Sequence, residues 1–236
     1  MNILLFVFII IIASILQTST GFGFSILATP FLLLLFEPRE AIQINLLLSL
    51  VISFSLLRKI QNDVDFGVVK RFVIGSLVGL PIGMAVFLWL DIGRLKLGVS
   101  ITIITLTLLL ILNVRILQTK RRDGLTGGLS GIMTTSIGMP GPPLLLYFSG
   151  TDTQKETLRA TTLAFYLFIY ACSLIIQVVF AGTNSTVWKS SFLALPLVFL
   201  GMYAGQRLFH WVNPGLFRVF TYLILLFTGL YLLMEN

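Results

Sequence analysis

Apolar residues run through the chain in long blocks joined by short polar links. The blocks cover about 2–36, 41–57, 72–90, 95–117, 124–149, 160–180, 187–209 and 216–234. A helix that crosses the hydrocarbon core of a bilayer needs about 20 predominantly apolar residues, so the blocks predict membrane helices. The links are Glu37-Pro38-Arg39-Glu40, the charged stretch Arg58 to Arg71, Asp91-Ile92-Gly93-Arg94, Lys120-Arg121-Arg122-Asp123 and the polar stretch Gly150 to Arg159. None is long enough for a domain of its own. The expectation is an all-α polytopic membrane protein, one transmembrane domain over residues 1–236.

Two blocks are interrupted where a membrane helix should be apolar and continuous. Gln17-Thr18-Ser19-Thr20-Gly21-Phe22-Gly23-Phe24-Ser25 breaks the first, and Thr134-Thr135-Ser136-Ile137-Gly138-Met139-Pro140-Gly141-Pro142-Pro143 breaks the fifth. Non-helical backbone at membrane depth survives only where protein or a water-filled cavity satisfies its polar groups. Gly21, Gly23, Gly138 and Gly141 let the chain turn and let a ligand approach the backbone. The half-helix after each break offers unpaired N–H groups and the positive end of its dipole, which suits an anion. Pro142 and Pro143 fit a first helical turn. Ser19, Thr20 and Ser25, with Thr134, Thr135 and Ser136, add hydroxyl donors. The plainer alternative is that these hydroxyls bond back to helical carbonyls, while Gly and Pro supply packing and a kink. Two matched breaks favour the two halves of one site for a small anionic solute.

The match extends along the chain. At an offset of 117, Thr18, Ser19, Gly21, Leu27, Phe31 and Leu46 fall on Thr135, Ser136, Gly138, Leu144, Phe148 and Leu163. At an offset of 122, Gly79, Gly83, Phe87, Trp89 and Gly93 fall on Gly201, Gly205, Phe209, Trp211 and Gly215. Shared Leu and Phe are cheap in such a sequence; shared Gly and Trp are not. Two repeats of four segments, about 1–118 and 124–236, are the expectation, an organisation common in secondary transporters.

Charge bears on their orientation. Eight full crossings would divide the Lys and Arg residues 9 to 7 between the two faces. If segments 1 and 5 instead re-enter, each repeat crosses three times, the repeats invert, and the division becomes 12 to 4. The positive-inside rule prefers the second arrangement, with both termini outside. A first segment that both crosses and carries a break stays open, because it is long enough.

Composition agrees with a membrane protein: 57% of residues are hydrophobic and 11% charged, where soluble domains carry about 25%. The net charge of +7 reads as loop residues that set topology in a lipid bilayer, not as a nucleic-acid footprint. No basic n-region or small-x-small site precedes Gln17, so no cleaved signal peptide is expected. One cysteine, Cys172, leaves no intrachain disulfide and no cysteine metal site. With one histidine, His210, and all nine acids in loops or at segment ends, no nucleophile–base pair or metal cluster points to an enzyme, and no cofactor is expected. Nor is there a candidate for a midplane carboxylate relay. Proton or sodium coupling, coupling through the ligand, or none therefore stay open, as does a homo-oligomer. Asn45 and Thr162, which correspond at the offset of 117, either face the cavity or bond between helices. Thr161 shares those alternatives. Arg159 either attracts the anion or anchors its segment at the basic face.

The two breaks carry a resemblance. Gly21-Phe22-Gly23-Phe24-Ser25 with Pro30, and above all Gly131 with Thr134-Thr135-Ser136-Ile137-Gly138-Met139-Pro140-Gly141-Pro142-Pro143, resemble the paired motifs of the TauE/SafE sulfite-exporter family, also called the toluene-sulfonate-uptake permease type. The resemblance spans essentially the whole chain. It implies a multi-pass transporter of the cytoplasmic membrane that moves small sulfur-containing or organic anions such as sulfite, sulfonates or sulfoacetate by alternating access. An anion channel, or transport of a non-sulfur carboxylate, is the alternative. Phe24 at the first break, and Met139 and Pro140 at the second, stand where family members often carry a fuller glycine run.

Overall fold

The computed structural model describes residues 3–89, 92–112, 118–151 and 153–209, with single positions between 219 and 234. In chain order the α-helices are α1 (Ile3–Thr20), α2 (Phe24–Leu32), α3 (Pro38–Ile60), α4 (Phe66–Trp89), α5 (Ile92–Ile111), α6 (Lys120–Ile137), α7 (Gly141–Ser149), α8 (Lys155–Ala181) and α9 (Ser185–Leu208), with a 3-10 turn at Gln61–Asp63. No strand occurs among the described residues. The polar links are shorter than the hydropathy pattern suggests, because helix ends absorb them. Pro38 opens α3, where a missing N–H costs nothing. Thr119 caps α6 by accepting from the Arg122 amide at 3.3 Å, and Asn184 caps α9 by accepting from Val187 at 3.1 Å. Segment 8 lies largely outside the described residues.

Glycine decides where the two broken segments stop being one helix. Gly21 (φ 83), Gly23 (φ 115) and Gly138 (φ 74) sit in the left-handed region that a Cβ disfavours. Neither chain continues in its original direction. A Cβ on Gly23 would lie 3.1 Å from the Leu16 Cβ, whereas seven residues of unbroken helix span about 10 Å. Past α2, the Phe36 ring meets Phe6 in α1 with centroids 5.7 Å apart. In the second segment Ser130 Oγ donates to the Pro140 carbonyl at 3.1 Å, across ten residues that would span about 15 Å in one helix. Further on, Tyr147 in α7 comes beside Asp123 in the first turn of α6. Each broken segment is a hairpin: an 18-residue helix, a tight reversal, and a nine-residue helix running back along it.

Five helices (α1, α3 with its terminal turn, α4, α8 and α9) are long and apolar enough to cross a membrane. Their outer faces carry large exposed apolar side chains, among them Ile74, Leu77 and Val78 on α4 and Phe192, Leu193 and Leu200 on α9. Such surface suits lipid and not water. The chain is a multi-pass, all-α membrane protein.

The most extensive helix pairs are α4 with α6 and α1 with α9, followed by α3 with α8. Small residues make the first two possible, since helices in lipid associate through close backbone approach. A Cβ on Gly83 would meet the Ile132 carbonyl oxygen at 2.5 Å and the Thr135 Cβ at 3.0 Å. A Cβ on Gly205 would meet the Ile15 carbonyl oxygen at 2.7 Å and the Thr18 Cβ at 2.7 Å. These contacts correspond residue for residue: Gly83 and Gly205 are 122 apart, and Ile15 and Thr18 are each 117 from Ile132 and Thr135. The first half's α4 packs on the second half's hairpin, and α9 returns the contact.

Candidate functional site

Helices α3 and α8 cross at the centre, and each presents a polar stripe at helical spacing. On α8 the stripe is Arg159, Thr162, Tyr166, Tyr170, Ser173 and Gln177; on α3 it is Asn45, Ser49 and Ser53, all buried. Steps of three and four residues place each set on one face. The start of α2 adds Ser25 and, one turn later, Thr29, both buried.

Many of these groups have no protein partner. Ser25 Oγ, Thr29 Oγ1, Asn45 Oδ1, Ser49 Oγ, Thr162 Oγ1, Tyr166 Oη and Tyr170 Oη are buried without a hydrogen bond. The Tyr170 hydroxyl lies beside those of Ser25 and Ser49, short of hydrogen-bond geometry. Tyr166 stacks obliquely on Tyr170 at 5.1 Å and edge-on to Phe22 of the first break at 6.4 Å. From the other hairpin, a Cβ on Gly141 would sit 3.2 Å from Tyr166 Oη and 2.9 Å from Ile26 Cδ1. The second half-helix thus starts against the first, with no side chain between it and the tyrosine. A buried hydroxyl with no partner costs about 1–3 kcal/mol, and isolated cases are rare. Seven such atoms on three helices are therefore left with hydrogen-bonding capacity that the protein does not use.

The two half-helices contribute unequally. Gly23 precedes α2 with no side-chain cap, and the first backbone bond of the helix is Leu27 N–H to Gly23 O at 2.9 Å. The amides of Phe24, Ser25 and Ile26 are those the helix cannot satisfy from within. In α7, Pro142 and Pro143 have no N–H, so Gly141 is the one amide in its first three positions. The dipole of α7 remains; most of its donors do not. Free first-turn amides are therefore more numerous at α2 than at α7.

The hydroxyls at the breaks are placed differently from those in the stripes. Ser19 donates to Ile15 O at 2.8 Å, Thr134 to Ser130 O at 2.5 Å and Ser136 to Ile132 O at 2.7 Å. Thr20 reaches Leu16 O at 2.6 Å and accepts from the Phe22 amide at 3.1 Å. Thr135 lies 3.1 Å from Gly131 O and 3.0 Å from Ser173 Oγ. These five hold the ends of their helices, and their protons are committed. Of the polar residues singled out from the sequence, Ser25, Asn45 and Thr162 keep open hydrogen-bonding capacity, at Oγ, Oδ1 and Oγ1 respectively. Gly21, Gly23 and Gly138 form the turns, and Gly141 borders the tyrosine. Arg159 sits one turn from Thr162. Its stem covers Gly21, with the Arg159 Cα 3.0 Å from where a Cβ would be, and its guanidinium lies 4.4 Å over the Phe209 ring. Its Nε is buried with no partner.

Ser49, Thr29, Tyr166 and Tyr170 were not singled out from the sequence. A signal was present: the offset of 117 carries Asn45, Ser49 and Ser53 onto Thr162, Tyr166 and Tyr170. A second residue needs correcting. Asp123, placed in a loop by its basic neighbours, is fully buried in the first turn of α6 and paired with Arg71 of α4. The described residues contain no group of three His, Cys, Asp or Glu that could hold a metal ion.

The model of the sulfite exporter TauE/SafE family matches residues 6–232. The chain belongs to that family. It is therefore a membrane transporter that handles a small solute within lipid. Comparison with curated proteins and with solved structures gives no match.

Proposed function

We propose that this TauE/SafE protein carries small sulfur-containing or organic oxyanions, such as sulfite or a sulfonate, across the cytoplasmic membrane by alternating access. The observation that carries this reading is the set of unpartnered buried hydroxyls between the first turn of α2 and the stripes of α3 and α8. Tetrahedral oxyanion heads offer several acceptor oxygens, and Ser25, Ser49, Thr162, Tyr166 and Tyr170 offer matching donors. The positive end of α2 and the nearby Arg159 supply charge. No carboxylate is among the cluster's residues.

The reciprocal contacts of the two halves support reading the domain as two repeats, about 1–118 and 124–236. If each hairpin returns to the face it came from, a half crosses three times, and an odd number inverts it relative to its partner. The starts of α4, α6 and α8 then share the basic, cytoplasmic face. The first break lies toward that face, the second toward the other, and the hydroxyl cluster lies between them. Movement of one hairpin against the α3–α8 crossing would open the cluster to one side at a time.

The test is flux of labelled sulfite, methanesulfonate and sulfoacetate in proteoliposomes, with a matched carboxylate and chloride alongside. Saturable flux of a sulfur oxyanion supports the reading. Saturable flux of the carboxylate alone would move the substrate class, and flux without saturation would make the protein a channel. Folded protein that moves none of them would overturn the reading.

A further inference from the structure

The end of α6 gathers oxygens that the substrate hydroxyls do not account for. Gly138 closes this helix in the left-handed region; its amide bonds the Thr134 carbonyl, and the Met139 amide bonds that of Met133. Gln177 Nε2 of α8 donates to the Thr135 carbonyl at 2.7 Å, and Asn45 Nδ2 of α3 to that of Gly138 at 2.7 Å. Pro140, next in the chain, has no N–H to offer. The carbonyls of Ser136 and Ile137 therefore receive no backbone hydrogen bond among the described residues. They belong to the negative end of the helix, and no Lys or Arg lies in its last turn.

Two further oxygens are carried to the same place. Asn45 Oδ1 and Gln177 Oε1 are buried without a hydrogen bond, on side chains that are wholly buried. Oxygen and nitrogen share one carbon in a carboxamide, so each oxygen is fixed close to the carbonyl that its nitrogen holds. Those carbonyls, of Thr135 and Gly138, lie within one turn of each other. Ser173, one turn before Gln177, adds a hydroxyl 3.0 Å from Thr135 Oγ1. The first break is built differently. Arg159 packs its stem on Gly21 there, and the residue 117 before it, Ile42, packs on Gly138. A cationic residue thus covers the turn after α1, whereas the turn after α6 has only an apolar side chain and neutral amides.

We propose that the end of α6 is a sodium site, formed by the Ser136 and Ile137 carbonyls with Asn45 Oδ1 and Gln177 Oε1. Neutral carbonyl oxygens suit a hard cation, and half-helix C-termini serve this purpose in secondary transporters. With no carboxylate among the four, a divalent ion would keep most of its charge uncompensated; a single charge matches the helix end. The ion joins α3, α6 and α8 at the turn from which α7 departs. That turn leads to Gly141, where a Cβ would sit 3.2 Å from Tyr166 Oη. On α3, Ser49 stands one turn from Asn45 and beside Tyr170. Sodium therefore steadies the second hairpin together with hydroxyls assigned to the anion, and each solute favours the binding of the other.

This inference deepens the transport reading and rests on it, but its first test needs no transport. The melting temperature of the purified protein is measured as sodium chloride replaces choline chloride at constant ionic strength. It should rise and saturate with sodium, and stay flat when potassium chloride is used instead. Methanesulfonate should lower the half-saturating sodium concentration about tenfold, and sodium should lower that of methanesulfonate by the same factor. Gln177→Met, which keeps the side chain's length without its oxygen, should lose the sodium response. Gln177→Asn, a milder change that draws the amide back by one carbon, should raise the half-saturating concentration about tenfold. A role in packing alone would lower melting in every salt and leave the sodium response intact. No sodium response in the parent, an equal response to potassium, or a parental response in both variants would overturn the site. In proteoliposomes, uptake of labelled methanesulfonate should run about tenfold faster from sodium than from choline medium, and equal uptake would overturn the coupling. A sodium response in melting with no uptake of any anion would count against the transport reading alone.

Discussion

The side-chain amide of Asn45 donates to the carbonyl of Gly138 at 2.7 Å, so a residue of the first half holds the turn of the second. Ile42, one turn earlier, packs on the same glycine, its Cγ2 3.4 Å from where a Cβ would be. At the other break Gly21 is covered by Arg159, and Arg159 and Thr162 stand 117 residues after Ile42 and Asn45. Each crossing helix of the α3–α8 pair thus seats the opposite hairpin.

Asn45→Ala should accordingly act on both stability and transport. It leaves the Gly138 carbonyl without its donor in a buried setting, which costs about 1–3 kcal/mol. The expectation is a lower melting temperature in detergent and uptake reduced about tenfold, because a shift of about 1.4 kcal/mol in turn geometry is worth that factor. Asn45→Asp should be worse, since a carboxylate would face the carbonyl. Uptake unchanged in both would show that the second turn needs no such hold.

Tyr166→Phe and Tyr170→Phe separate a ligand site from a merely polar core. Their hydroxyls have no protein partner, so removing them loses no intramolecular bond and should leave thermal stability unchanged or slightly raised. If the hydroxyls bind substrate oxygens, the half-saturating concentration rises about five- to twentyfold, the worth of one or two hydrogen bonds. Stability lost with affinity intact would reverse the assignment.

Much of this is legible in the sequence. The two breaks show as Gly and hydroxyl residues in apolar runs, and the offset of 117 pairs them. What could not be read was which hydroxyls remain open. Ser19 and Ser25 look alike as letters. One lies in the last turn of α1, where a carbonyl four residues back takes its proton at 2.8 Å, and the other in the first turn of α2, with no carbonyl below it. That difference follows from the position of the break within one turn, which composition does not encode. Asp123 was misplaced for a related reason. Its neighbours Lys120, Arg121 and Arg122 suggest a solvated loop, but helical periodicity turns one residue of that turn inward, toward Arg71.

The turns themselves predict a contrast between alanine substitutions. Gly138→Ala combines a left-handed φ of 74 with a Cβ 2.7 Å from Asn45 Nδ2, and Gly21→Ala combines a φ of 83 with a Cβ 3.0 Å from the Arg159 backbone. The backbone conformation alone costs an alanine about 1–2 kcal/mol. Both should lower the melting temperature and abolish most flux. Gly98→Ala in α5, where a Cβ would meet nothing within 4 Å, should be neutral or mildly stabilising by helix propensity. Equal effects at all three positions would remove the case that positive φ is what the breaks require.

Arg159 has two separable parts, and substitution can tell them apart. Its stem packs on Gly21, while its guanidinium lies over Phe209 with Nε buried and unpartnered. A buried cation without an anionic partner is costly, and a substrate anion arriving one turn away at Thr162 would relieve that cost. Arg159→Lys keeps the charge and most of the stem; Arg159→Gln keeps a shorter stem and no charge. If the charge draws in the substrate, Gln should raise the half-saturating anion concentration about tenfold and weaken its dependence on salt. Lys should stay near the parent in both. If Arg159 serves only to anchor α8 at the basic face, Gln should lower stability and leave the anion dependence as it was.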